Sequence, residues 1–150
     1  MDAESERVDR ASRKVAYLAY AAQFKERLDL CRKAGVQAAL AVGTTQREAA
    51  QFLAEARLLW NEPVEAFGPA EASLRTQGPT AVVDSADTAS AKLTDYRAVV
   101  HEAIVADDAS REARVRTARA AYGPTYRAYL EFLHEASDVA GDDDVLRIGF

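Results

Sequence analysis

Few residues of this chain combine a reactive type with a useful spacing. Glu131 and His134 stand three residues apart, a step that places a carboxylate and an imidazole on one face of a helix. Glu-x-x-His segments on facing helices hold the metals of ferritin-like carboxylate proteins. A complete site of that kind needs a second pair and further inward carboxylates, and the other histidine, His101, has Arg97 and Ala98 where a glutamate is required. In an antiparallel hairpin turning near Asp107 the two histidines fall roughly 30 Å apart, at about 1.5 Å per residue. They cannot share one metal, so both read as helical surface residues and no cofactor follows from them.

Basic residues make the second candidate. Arg111, Arg114, Arg116 and Arg119, followed by Tyr122, Tyr126, Arg127 and Tyr129, interleave cations and rings in the way that serves a phosphate backbone. They spread around the helix, however, and carboxylates are plentiful enough to pair with them. Ala38, Ala39, Gly43, Ala49 and Phe52 fit a helix-turn-helix spacing in which Thr44, Thr45, Gln46 and Arg47 open the second helix, but Glu48 and Glu55 would bring negative charge to DNA. Nucleic-acid contact through Arg47, Arg111, Arg114 and Arg116 is therefore the alternative expectation, behind a plain structural role.

The chain has no glycine-rich phosphate loop, no nucleophile elbow and no cysteine-histidine metal spacing. Cys31 is the single cysteine, which rules out an internal disulfide and points to a reducing compartment. Nothing in the sequence identifies an enzyme. The 24 acidic against 19 basic residues give a net charge of −5, a field that repels nucleic acid and anionic membranes unless a basic face is segregated. Asp2, Glu4, Glu6 and Asp9 give the first turns the wrong charge for a targeting peptide. The apolar run from Val15 to Ala22 is too short to cross a bilayer. The expectation is a soluble intracellular protein, cytoplasmic by default.

The end of the chain is the sharpest feature. Asp142, Asp143 and Asp144 precede Val145, Leu146, Ile148 and Phe150, so acidic residues flank an apolar segment suited to a pocket with a basic rim. Over about the last nine residues this resembles the acidic tails of bacterial single-stranded-DNA-binding proteins, which run from aspartates into a terminal phenylalanine. The resemblance implies docking onto a protein partner through those seven residues; the equal alternative is that Val145 to Phe150 folds back on its own bundle or adds a strand to a neighbour's sheet. Val145-Leu146-Arg147 intervenes here, glycine precedes Phe150, and no barrel-forming strands come before, so the chain itself is not placed in that family.

The elements that must carry these residues read as helices throughout. Alanine is abundant, Ile104 and Ile148 are the two isoleucines, and no stretch alternates apolar with polar as a half-buried strand does. A first helix over about Ala3–Ala34 has Val8, Ala11, Val15, Leu18 and Ala22 in one apolar row. Tyr17, Ala21, Phe24, Leu28 and Cys31 form the row beside it. Gly35 is expected to stop this helix, and Val36–Val42 to add two turns before Gly43. Thr45 and Glu48 have capping-box spacing for a second helix running from Gln46 to about Phe67 and disturbed at Pro63.

Gly68-Pro69 and Gly78-Pro79 bracket a short helix. A third long helix follows, with the seam Val82, Ala86, Ala89, Leu93, Tyr96, Val100 and Ala103. Asp107 and Asp108 cap a fourth, in which Gly123-Pro124 bends rather than ends the apolar face. The predicted fold is all-α, an antiparallel bundle of about four long helices over residues 1–138 with an acidic tail over 139–150. The expected role is a non-enzymatic interaction protein, a subunit or scaffold with a protein partner or a second copy; a nucleic-acid regulator and a ferritin-like metal protein are the alternatives.

Overall fold

Alanine-rich segments with large apolar residues three and four apart can bury a continuous stripe only as helices. A computed structural model, describing the backbone of residues 3–140 and the side chains of residues 3, 4 and 9–139, is all-α. Its helices are α1 (Ala3–Leu40), α2 (Gln46–Trp60), α3 (Gly68–Gln77), α4 (Thr80–Val105) and α5 (Arg111–Ala140). There is no strand among the described residues. The four long helices are joined, as expected, by the short Gly-Pro-bracketed one, which makes five helices among the described residues: Gly68 opens α3 and Pro69 occupies its first turn, where a missing N–H costs nothing.

Two helix ends differ from expectation. Gly35 does not stop α1, which continues as one helix to Leu40; Gly43, at φ 75°, is the residue that reverses the chain. Only a residue without a Cβ adopts that left-handed conformation without cost. At the other end of the connection the Thr45 hydroxyl accepts the Glu48 N–H at 3.2 Å and caps α2. That helix ends at Trp60 rather than running on to Phe67. The Asn61 N–H and its side-chain amide both donate to the Arg57 carbonyl, at 3.0 and 2.9 Å, and Pro63 follows in the irregular link. Proline excludes helical backbone from the residue before it, so the helix terminates instead of kinking.

Pro124, in contrast, lies inside α5. Beside it the Thr125 hydroxyl lies within hydrogen-bonding distance of the Ala121 carbonyl (2.9 Å) and the Lys92 carbonyl (3.3 Å). The carbonyl that loses its N–H donor to the proline is that of Ala120, four residues back.

Burial also corrects α1. The row Tyr17, Ala21, Phe24, Leu28 and Cys31 is buried, but in the neighbouring row Ala11, Val15 and Ala22 are exposed, Val15 by 69%. Tyr20 and Ala16 take the place of that row in the core. Aromatic side chains remove more apolar area from water than valine or alanine, and they decide which face turns inward. All seven residues of the α4 seam are buried as expected.

The chain divides into two compact units, each drawn from separate stretches. The first takes residues up to Glu26, then Glu65–Ser90, then those from Arg127 on. Its core is an aromatic cluster. Phe24 stacks on Tyr129 at 4.6 Å and 4°, Tyr20 stacks on Phe67 at 5.0 Å, and Phe132 meets Tyr20 edge-on at 4.6 Å. The buried hydroxyls anchor it: Tyr20 donates to the Ala86 carbonyl at 2.8 Å and lies 2.7 Å from Ser90 Oγ, and Tyr129 donates to the Ala21 carbonyl at 3.0 Å.

The second unit comprises Arg27–Val64 and Ala91–Tyr126. Its interior contains Leu28, Cys31, Leu53, Leu93, Val100, Ile104 and Val115, with Ala41, Ala49 and Leu53 packed against Phe52 where α1 gives way to α2.

Candidate functional site

The residues singled out in the sequence are placed in different ways. Glu131 and His134 are both exposed on α5, so they face away from the core in which a bundle would hold a metal. His101 is exposed too, its ring 4.8 Å from that of Trp60. No cluster of three or more metal-ligating side chains exists among the described residues.

The arginines separate. Arg111 is buried, and its guanidinium donates to the Ala103 and Ala106 carbonyls and to the Asp108 carboxylate at 2.7 Å. It satisfies carbonyls left open where α4 ends, so it is not part of an exposed basic face. Asp107 braces the same turn: its carboxylate accepts from the Ser110 hydroxyl at 2.7 Å and the Ser110 N–H at 2.9 Å. Those bonds hold it below the ordinary carboxylate value. Arg114 pairs with Glu102 at 3.3 Å, while Arg116 and Arg47 are exposed. Asp142, Asp143, Asp144, Val145, Leu146, Ile148 and Phe150 lie outside the described residues.

Two concave features of the second unit were not legible in the sequence. The larger is an open pocket of about 260 Å³ bounded by α1, α4 and α5. Gly35, Val36, Ala39 and Leu40 form its α1 wall; Tyr96 comes from α4; Val115, Ala118, Arg119 and Tyr122 come from α5, and Arg32 completes the rim. A Cβ at Gly35 would make only ordinary contacts, 3.7 Å from Val100 Cγ2 and 4.0 Å from the Tyr96 hydroxyl. The Arg32 guanidinium lies 5.5 Å over the Tyr122 ring. Burial raises the Tyr96 hydroxyl above its ordinary value, and the Arg32 charge pulls it partly back.

The smaller feature, about 170 Å³, lies where the end of α2 meets the end of α4, between Arg57, Trp60 and Asn61 on one side and His101, Ile104 and Val105 on the other. Arg97 covers the Trp60 ring at 4.8 Å. The Trp60 Nε1–H is buried without an acceptor among the described residues. Cys31 lies close by, in a crevice shared with Trp60 and Arg97, and burial pushes its thiol up to about 11. A thiol so protonated at neutral pH is a packing group and not a nucleophile.

The residues lining these hollows lie far apart in sequence, and the pairs that signal them, Val36 with Leu40 and Arg32 with Arg119, become meaningful only once α1, α4 and α5 are placed. No protein-family model, curated protein or solved structure matches the chain. No helix among the described residues is long and apolar enough to cross a membrane.

Proposed function

We propose that the chain is a non-enzymatic helical interaction protein, a subunit or scaffold that binds another protein through the ends of α2 and α4. The observation that carries this reading is where its exposed large apolar side chains fall. Of Val15, Val36, Leu40, Leu58 and Val105, the last four belong to the second unit. Single exposed apolar residues are ordinary. Val105, however, is 58% exposed beside a hollow that also contains Trp60 and Arg57, and Leu58 on α2 is 67% exposed.

Tryptophan and arginine are the residue types that anchor protein interfaces most often. The acidic-apolar segment from Asp142 to Phe150 offers a second docking element, in line with its composition.

The test is a photo-crosslinking residue at position 58, in the full chain and in its source cells. A discrete adduct is expected there, and none from the same group placed at Thr88, an exposed position of α4 in the first unit. Equal and diffuse labelling at both positions would contradict the reading.

A further inference from the structure

The pocket between α1, α4 and α5 has a composition at odds with the rest of the chain. The protein carries a net charge of −5, yet among the described residues the ionised groups lining the pocket are Arg32 and Arg119, and no carboxylate lines it; Asp29 shares with Arg32 the hollow next to it. Arg119 has no hydrogen-bond or ion-pair partner among the described residues, and Arg32 is steadied by the Tyr122 ring. At the mouth, Val36 and Leu40, one turn apart on α1, are 50% and 46% exposed. Apolar walls with a few convergent charged groups are the character of a small-molecule site. A volume of about 260 Å³ lies just under the range of roughly 300–1,000 Å³ found for drug-sized ligands, which suits one or two fused rings.

We propose that this pocket binds a small aromatic carboxylate, its ring system among Val36, Leu40, Val115 and Tyr122 and its carboxylate taken by Arg32 and Arg119. The ring would cover the two apolar side chains that the fold leaves open at the mouth. Guanidinium groups pair with carboxylates through charge-assisted bonds that are stronger than neutral ones. The site is separate from the α2–α4 contact and does not depend on it: changes at Leu58 and Val105 leave it intact, so failure of one reading is distinguishable from failure of the other.

The test is calorimetric titration of the full chain with naphthoate, with its neutral analogue naphthalenemethanol and with octanoate, alongside amide NMR shifts. Saturable one-site binding of naphthoate is expected, with shifts centred on Gly35, Val36 and Leu40, and with the alcohol and octanoate each bound about tenfold or more weakly. Arg119→Gln should weaken naphthoate about tenfold and leave the alcohol unchanged. Gly35→Ala should melt no lower than the parent, since its Cβ makes only ordinary contacts, and yet bind naphthoate more weakly because the pocket is narrowed beside Tyr96.

Equal affinity for naphthoate and naphthalenemethanol would overturn the proposal by making the pocket a plain apolar hollow. Octanoate binding as tightly as naphthoate would overturn its aromatic part. Absence of naphthoate binding, or shifts centred elsewhere, would overturn it entirely.

Discussion

Two buried tyrosines a turn apart on α1 show how much a single partner decides. Tyr17 and Tyr20 are both fully buried, but the Tyr20 hydroxyl has the Ala86 carbonyl and Ser90, whereas the Tyr17 hydroxyl has no partner among the described residues. A satisfied buried hydroxyl contributes about 1 kcal/mol, and an unsatisfied one costs free energy. Urea unfolding is expected to show Tyr20→Phe destabilised by about 1–2 kcal/mol and Tyr17→Phe neutral or slightly more stable.

The same burial sets the response to alkali. Tyr17, Tyr20 and Tyr96 have hydroxyls raised above the ordinary value of 10.0, chiefly by burial, and the Cys31 thiol is raised from 9.0 to about 11. A group whose folded value exceeds its unfolded one stabilises the fold fully below the unfolded value and loses that contribution as pH rises through the folded value. For Cys31 the loss falls between pH 9.0 and about 11, and the tyrosines extend it upward. In a phenolate absorbance titration, at least Tyr17, Tyr20 and Tyr96 of the six tyrosines should ionise only together with loss of the helical circular dichroism signal. Six tyrosines titrating normally in a still-folded chain would refute this.

At the scale of the element, the two glycines near the end of α1 have opposite meanings. Gly35 is interior to the helix, with room for a Cβ, so Gly35→Ala should stabilise by about 0.5–1 kcal/mol. Gly43 has φ 75°, so Gly43→Ala should destabilise by about 1–2 kcal/mol. Thermal unfolding of the two variants checks both signs.

Spacing alone located the α4 seam because one row of Val82, Ala86, Ala89, Leu93, Tyr96, Val100 and Ala103 stands out against polar neighbours. It misjudged α1, where two apolar rows lie side by side and tertiary packing of Tyr17, Tyr20 and Phe24 chooses between them. It misplaced the stop at Gly35 because any glycine after Arg32 and Lys33 resembles a helix terminus, and only the backbone angle separates a stop from an interior residue. Arg111 is the converse case: in sequence it is one of a basic run, and in the fold it partners the carbonyls at the end of α4. The pocket left no local signal, since its arginines come from helices far apart in the chain.

At the scale of the whole molecule, an all-helical chain whose second unit holds most of its exposed large apolar side chains is expected to work by association. The most direct measurement is the native mass of the assembly containing this 16.3 kDa chain, determined by size exclusion with light scattering after gentle recovery from its source. The interaction reading predicts a mass well above that of one chain for the parent, and the mass of one chain for Leu58→Glu combined with Val105→Glu, with helical content unchanged. A parent that itself elutes as a lone 16.3 kDa chain, or a double variant that remains in the same assembly, would contradict it.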